Sequence, residues 1–147
     1  MTPDRPASGP TVSTGFWLHH AALAWRARLT EALKPLGLTH TQFLLLASAG
    51  WLAHVGPAPT QQEVAAEAGT DRMMTSKVIS TLEQRALLIR RRDDSDARML
   101  RLELTPEGRE LVRRATKVAR DIDQAVFGAD SAALRATLRQ VAAPAAE

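Results

Sequence analysis

The residues of this sequence best suited to chemistry are the cationic side chains between Asp71 and Arg101, where eight arginines and lysines are interspersed with five acidic residues. The resulting charge of +3 equals that of the whole 147-residue chain, so the rest of the sequence sums to zero. A local excess of guanidinium and ammonium groups is typical of a surface that binds the phosphates of nucleic acid. These groups can act together only if the fold brings them onto one surface.

Composition excludes several other kinds of site. The chain has no cysteine, which excludes disulfides, thiolate zinc sites and cysteine nucleophiles. His19 and His20 would point to different sides of a helix, and His40 and His54 have no carboxylate at ligand spacing, so we expect no metal and no cofactor. The sequence shows no nucleophile with a base at a plausible spacing and no Gly-rich phosphate loop, which argues against an enzyme.

The tails and the longest apolar run indicate a single domain that acts in the cytoplasm. Residues 1–12 are rich in proline, lack the apolar segment of a secretory signal, and are expected to be a disordered tail. Phe43 to Val55 is too short an apolar run to span a bilayer, so we expect no membrane partner. The domain is predicted to cover residues 13–147.

Helix signals dominate the domain. Apolar residues at three-to-four spacing predict a first helix over about 13–36. Two threonines, each followed three positions later by Gln or Glu, have the spacing of a capping box, in which the two side chains cap a helix start. These pairs are Thr39 with Gln42 and Thr60 with Glu63.

A helix-turn-helix motif is predicted after the second capping box. A short helix from Gln61 to Ala68 should stop at Gly69, and another should start at once from Thr70 or Asp71. Of the two adjacent methionines in that helix, one is expected to face the core and the other solvent. The apolar face is predicted to consist of Met74, Val78, Ile79 and Leu82.

The apolar period then changes from near four to two, which predicts a β-hairpin. Its strands would cover residues 87–92 and 99–104, with the tip from Asp93 to Arg98. A long helix should follow, capped by Thr105 and opened by Pro106. A hairpin appended to a helix-turn-helix is a winged helix, so the predicted fold class is mainly α with a small β-hairpin. The winged helix-turn-helix would occupy about 39–105.

The second helix of the motif would enter the major groove of DNA, and the hairpin, or wing, would reach the flanking minor groove. Arg98 could enter that groove while Asp96, two residues away, orients its guanidinium. The predicted contacts on the helix are Arg72, Met73, Thr75, Ser76 and Lys77. Those on the hairpin are Arg90, Arg91, Arg92, Asp96 and Arg98. Alternatively, these residues are a solvated strand end and a surface ion pair that contribute little.

The segments that carry these features are GLTHTQFLLL and the continuous run from TQQEVAAEAGT to LTPEGREL. Together with the Asp96-Ala97-Arg98 sequence of the wing and the LT-x-x-G motif that ends at Gly108, they resemble the multiple-antibiotic-resistance regulator (MarR) family. The resemblance implies a homodimer joined by dimerisation helices at about 13–36 and 106–142. It also implies a pseudo-palindromic double-stranded operator and a repressor released by a small aromatic or anionic effector. Two adjacent methionines in the recognition helix depart from the family pattern.

An effector pocket is the remaining hypothesis from the sequence. Trp17, His20, Trp25 and Arg26 could form an aromatic wall with one cation, which would suit an aromatic carboxylate. The simpler alternative places the tryptophans in the core and the dimer interface. For the protein as a whole, the alternative to a DNA-binding regulator is a winged-helix module that binds another protein.

Overall fold

A computed structural model of the chain describes residues 9–143. These residues form a winged helix-turn-helix flanked by long helices, which confirms the predicted fold class of helices with one hairpin. The elements are α1 (Thr14–Leu33), α2 (His40–Val55), α3 (Gln61–Ala68), α4 (Arg72–Gln84), β1 (Leu88–Arg92), β2 (Leu100–Leu104), α5 (Pro106–Phe127) and α6 (Ala132–Ala142).

Both predicted capping boxes are present. Thr39 Oγ1 accepts from the Gln42 amide at 3.1 Å and Gln42 Oε1 accepts from the Thr39 amide at 3.1 Å. Thr60 and Glu63 make the corresponding pair at the start of α3, at 3.3 and 2.7 Å. Because each box satisfies two backbone amides that a helix start leaves unpaired, the starts of α2 and α3 are determined by local sequence.

The turn of the helix-turn-helix is made by Gly69, whose φ of 66° lies in the left-handed region that glycine adopts without strain. Asp71 caps the next helix, because its Oδ1 accepts from the Met74 amide at 2.8 Å. The other candidate cap, Thr70, instead pairs its hydroxyl with that of Thr75 at 2.7 Å. The recognition helix α4 therefore begins one residue after Asp71.

One apolar core holds the recognition helix and the wing together. It contains Leu29 and Leu33 of α1, and Ala115 of α5. The remaining buried apolar side chains of this core come mainly from the winged helix: Leu45, Leu46, Val64, Ile79, Leu82, Leu88 and Leu102. Since helices from both ends of the chain share a core with the recognition helix, a movement of one is transmitted to the other by packing.

The predicted apolar face of α4 is partly wrong. Ile79 and Leu82 are fully buried, but Met74 is 45% exposed and Met73 82% exposed, so neither methionine is a buried core residue. Thr75 takes the buried position in the first turn. Burial is compatible with its hydroxyl, because that group bonds to Thr70 and to the carbonyl of Asp71 and is not left unpaired in the core.

The base of the wing is joined to α5 by the LT-x-x-G motif. Thr105 Oγ1 donates to the carbonyl of Ala86 at 2.7 Å and accepts from the Gly108 amide at 3.0 Å. Gly108 lies so close to the chain before β1 that a Cβ on it would sit 1.9 Å from the carbonyl oxygen of Leu87. The motif's glycine is therefore required by a close approach of helix to backbone.

The ends of the described chain expose apolar side chains. Trp17 is 56% exposed, Leu23 51% and Val141 66%, and Leu134 and Leu138 of α6 are also exposed. Of the tail predicted to be disordered, residues 1–8 lie outside the described residues. Pro10–Val12 differ from that expectation, because they form a turn of 3₁₀-helix. Within residues 9–143, none of the helices has the length and apolar character that crossing a membrane requires.

We expect Gly108→Ala to destabilise the protein at the upper end of the roughly 1–3 kcal/mol that overpacking costs, because the clashing neighbour is backbone. Urea unfolding at fixed protein concentration measures this. Gly15→Ala is the control, since a Cβ there meets only Ser13 Oγ at 3.7 Å and alanine favours the helix. Equal unfolding midpoints for Gly108→Ala and the wild type would contradict the close approach.

Candidate DNA-binding surface

The solvent-facing side of α4 carries a stripe of four side chains, with Arg72 beside it. Met73, Ser76, Lys77 and Ser80 follow one another at helical spacing and, with Arg72, line a shallow open groove. The opposite stripe of the helix is buried, so this face is the one that α4 presents to solvent. Its cations and the Ser76 hydroxyl lie in the first two turns, where a recognition helix meets base edges.

Thr75 does not belong to this surface, although the sequence placed it among the DNA contacts. Its side chain is fully buried and its hydroxyl is used by Thr70 and the Asp71 carbonyl. Residue type alone puts threonine on the polar face, whereas Thr75 lies on the side of α4 that packs on the core and its two hydrogen bonds satisfy the hydroxyl there.

The tip of the wing presents Arg98 to solvent. Its side chain is 93% exposed, and Asp96 Oδ1 accepts from both its Nε, at 3.2 Å, and its amide, at 3.1 Å. The Asp96 side chain is less exposed, at 40%, so the guanidinium extends further into solvent than the carboxylate that holds it. An ion pair this exposed adds little stability, but it limits the directions in which the guanidinium can point.

The wing turn is organised by Asp93. Its Oδ2 accepts from the Ser95 hydroxyl at 2.6 Å, the Ser95 amide at 3.1 Å and the Asp96 amide at 3.0 Å. Its Oδ1 accepts from Arg101 Nε at 2.9 Å. The Ser95 hydroxyl and the Arg101 guanidinium hold the pKa of this carboxyl far below its usual range, because both stabilise the charged form.

Arg101 attaches the wing to the helix-turn-helix. Its side chain is only 19% exposed; besides Asp93, it donates to the carbonyl of Ala58 at 3.0 Å and lies 3.8 Å from Glu63 Oε2. The backbone reinforces the join, since the Leu102 amide donates to the carbonyl of Pro59 at 2.8 Å. Period-two alternation puts Arg101 on the face of β2 away from Leu100 and Leu102, but only the tertiary structure brings Ala58, 43 positions away, into contact with it.

The three arginines of β1 are paired within the protein. Arg90 Nε lies 3.2 Å from Glu83, without hydrogen-bond geometry, and its Nη2 is 3.4 Å from Ser80 Oγ. Arg91 pairs with Glu103 at 2.6 and 2.8 Å, and this hydrogen bond raises the pKa of its guanidinium. Arg92 donates to the Ala97 carbonyl at 2.9 Å.

The cations of the basic segment therefore divide into those that are paired within the protein and those that are directed to solvent. Arg85 belongs to the first group, because it donates to the Gly37 carbonyl at 2.8 Å. Within residues 9–143, the side chains of Arg72 and Lys77 make no ion pair, and Arg98 pairs only with its neighbour Asp96. The positive groups that point to solvent thus lie on the recognition helix and at the wing tip.

Comparisons with known proteins agree with this geometry. The sequence profile of the MarR family matches residues 38–100. The chain is 38% identical over 122 residues to the HTH-type transcriptional regulator YdcH of Bacillus subtilis (strain 168), covering 83% of each chain. CouR from Rhodococcus jostii RHA1, bound to p-coumaroyl-CoA, superposes with a TM-score of 0.84 at 27% identity, over 96% of this chain and 99% of CouR. The transcriptional repressor CouR bound to a 23-mer DNA duplex gives 0.80 at 28% identity, over 95% and 99%.

This chain belongs to the MarR family. The resemblance seen in the sequence is confirmed, and with it the assignment of the chain as a DNA-binding transcriptional regulator. In this MarR-family chain the profile match runs from Leu38, just before α2, to Leu100 at the start of β2. It includes both helices of the helix-turn-helix and most of the wing.

The residues suggested for an effector pocket of this MarR-family regulator fall into two groups along α1. Trp17 donates from its Nε1 to the Thr11 carbonyl at 2.9 Å, and Phe16 and His20 have ring centroids 4.4 Å apart. Trp25 lies about two turns further on, roughly 12 Å along the helix axis. The structure therefore does not bring Trp17 and Trp25 into one contact group.

The Trp25 group contains Asp123 and His40, which the sequence did not assign to an effector pocket. Trp25 Nε1 donates to Asp123 Oδ1 of α5 at 2.8 Å, and its ring meets that of His40 edge-on, with centroids 5.5 Å apart. Burial lowers the pKa of His40, and the positive charge of Arg26 acts in the same direction. Trp25 thus joins α1 to both α2 and α5.

We expect Asp93→Asn to lower the melting temperature of the MarR-family protein by several degrees at pH 7. The pKa of Asp93 is lower in the folded state than the roughly 3.9 of an unfolded aspartate, so its contribution is present above about pH 5 and is lost as the pH falls. The difference in melting temperature between wild type and variant should therefore narrow progressively as the pH falls below about 5.

The control for this experiment is Asp94→Asn, which removes the same charge one residue away. The Asp94 side chain is 93% exposed and contacts only Arg91, at 3.4 Å, so little change is expected. A constant difference between Asp93→Asn and wild type down to pH 2 would show that the lowered pKa is absent.

Proposed function

We propose that this protein is a homodimeric repressor that binds a pseudo-palindromic double-stranded operator in the cytoplasm and has no catalytic role. The observation that carries the proposal is the placement of the solvent-directed cations Arg72, Lys77 and Arg98 on the recognition helix and the wing tip. The DNA complex of CouR supports it, because that repressor has the same fold over nearly the whole chain. Two copies of α4 would occupy successive major grooves about 34 Å apart.

Within each half-site, Arg72, Met73, Ser76 and Lys77 would face the major groove. Arg98 would enter the flanking minor groove, where a narrow groove concentrates negative potential. Asp96 would orient Arg98 without touching DNA. Arg90, Arg91 and Arg92 would contribute to the positive field near the phosphates, although their guanidinium groups are held by Glu83, Glu103 and Ala97.

The dimer would be formed by the helices at the two ends of the chain. Their exposed apolar side chains are unpartnered in the single copy, and α5 and α6 border an open cavity of about 450 Å³. Phe127, Leu134 and Leu138 contribute apolar atoms to its lining. Covering this surface with a second copy removes apolar area from water and places the two recognition helices on one side of the assembly.

The small effector would bind beside Trp25. Because the lowered pKa leaves His40 neutral near pH 7, Arg26 is the cation available to a carboxylate, and Trp25 offers an aromatic face. The p-coumaroyl-CoA complex of CouR supports an aromatic acid or its thioester as the ligand class. A ligand there would alter how α1 packs on α2 and α5, and so the spacing of the winged helices.

We expect Arg98→Ala to weaken operator binding by about 1–3 kcal/mol, or roughly 5- to 150-fold, if the guanidinium fills the minor groove. Fluorescence anisotropy at about 0.15 M salt measures this, with DNA from upstream of the protein's own gene against a shuffled duplex, since non-specific binding is weak at that salt concentration. Arg113→Ala is the control, because Arg113 is an exposed arginine on α5 paired with Glu110.

Two results would count against the proposal. Equal binding of the wild type to the upstream and shuffled duplexes would favour the protein-binding alternative, provided that other genomic fragments also fail to bind. Unchanged operator affinity of Arg98→Ala would show that the wing tip does not contribute to binding, and α4 alone would remain as the proposed contact.

We expect Arg26→Ala to weaken the binding of a salicylate-like acid at least about tenfold, since a charge-assisted hydrogen bond contributes roughly 1.5–3 kcal/mol. Isothermal titration calorimetry measures this. Arg28→Ala is the matched control, because it removes the same charge two residues away on an exposed part of α1. If both variants bind the acid as the wild type does, the effector lies elsewhere.

A further inference from the structure

Met73 is the most exposed large apolar side chain among the described residues, at 82%. It stands at the second position of the recognition helix, one turn before Ser76 and Lys77 on the same stripe. Leaving a methionine in water forgoes the stabilisation that burying it would provide. A polar residue there would be equally compatible with the helix, so the exposed thioether is free to contact a binding partner.

The fold itself does not use the Met73 side chain. The cap of α4 is made by Asp71 on the Met74 amide, and the buried position of the first turn is filled by Thr75. Met73 lies beside Arg72 on the groove that faces away from the core. Its side chain is therefore available to whatever the recognition helix binds.

The chemistry of the major groove limits what methionine can recognise there. Arginine, lysine and serine can pair with the polar edges of bases, whereas a thioether neither donates a hydrogen bond nor accepts one strongly. The apolar group that the groove displays is the C5-methyl of thymine. Methionine has three rotatable bonds beyond its backbone, so it can follow the shape of that methyl.

We propose that Met73 is a specificity-determining residue that contacts the C5-methyl group of one thymine in each half-site. The inference rests on the proposed function, since it requires α4 to lie in the major groove. Ser76 and Lys77, one turn further on, would bind the neighbouring polar edges or phosphates. Met73 would therefore favour thymine over cytosine at one position by contact with a methyl rather than by a hydrogen bond.

The test uses the wild-type protein and its operator, with each thymine of the site replaced in turn by deoxyuridine, which removes only the methyl. Losing one buried methyl should weaken binding about fourfold in one half-site and about 15-fold when both symmetric positions are changed. Anisotropy titrations with labelled duplexes measure these changes.

Protein variants assign the effect to Met73. Met73→Ala should bind the thymine and deoxyuridine duplexes equally, whereas Met73→Leu should keep the preference because it keeps an apolar side chain. Met74→Ala is the matched control and should discriminate as the wild type does, since Met74 is only 45% exposed. Thermal melting of each variant checks that the fold is retained.

Each contrary result has a different meaning. Wild-type binding that is specific for the operator but insensitive to every deoxyuridine substitution would overturn the inference and leave the proposed function intact. Methyl discrimination that persists in Met73→Ala would assign the contact to another residue and also overturn it. Failure of the wild type to prefer any duplex would remove the proposed function, and this inference with it.

Discussion

The guanidinium of Arg101 joins three separate parts of the winged helix. It reaches Asp93 in the wing turn, the carbonyl of Ala58 in the loop before α3, and the vicinity of Glu63, which caps α3. Partly buried arginine needs several acceptors, because an unpaired charge in such a place is costly. Together with the Leu102–Pro59 backbone hydrogen bond and the shared apolar core, these contacts fix the position of the wing, which carries Arg98 at its tip.

Internal ion pairs of this kind explain why so basic a segment directs so few cations to solvent. Acidic residues of α4 and the hairpin neutralise Arg90, Arg91 and Arg101 and shape the tip. Arg72, Lys77 and Arg98 remain directed to solvent, on the two elements that the proposed complex needs. Concentrating the exposed charge in this way favours a defined docking geometry over uniform attraction to any polyanion.

The core connects this surface to the proposed effector and dimer regions. Leu29 and Leu33 of α1 pack in the same cluster as Ile79 and Leu82 of α4, and Trp25 lies one turn before Leu29. Close-packed side chains do not deform independently, so a shift of α1 changes the support of the recognition helix. The size of any such response is limited by the difference in ligand affinity between the two arrangements.

Local features of this protein were predictable from the sequence by itself, because their causes lie within a few residues. The capping boxes at Thr39 and Thr60, the turn at Gly69 and the alternating strand before Thr105 all depend on short-range hydrogen bonds or periodicity. Residue type also marked Asp96 and Arg98 as neighbours at a turn.

Contacts between distant segments were decided only by the tertiary structure. Arg101 meets Ala58 across 43 positions and Trp25 meets Asp123 across 98. The burial of Thr75 and the exposure of Met73 depend on which side of α4 faces the core. The helical pattern does not decide this between neighbouring positions, whereas packing does. Sequence periodicity determines which side chains share one face of a helix or strand, whereas the packing of these elements determines which side chains meet.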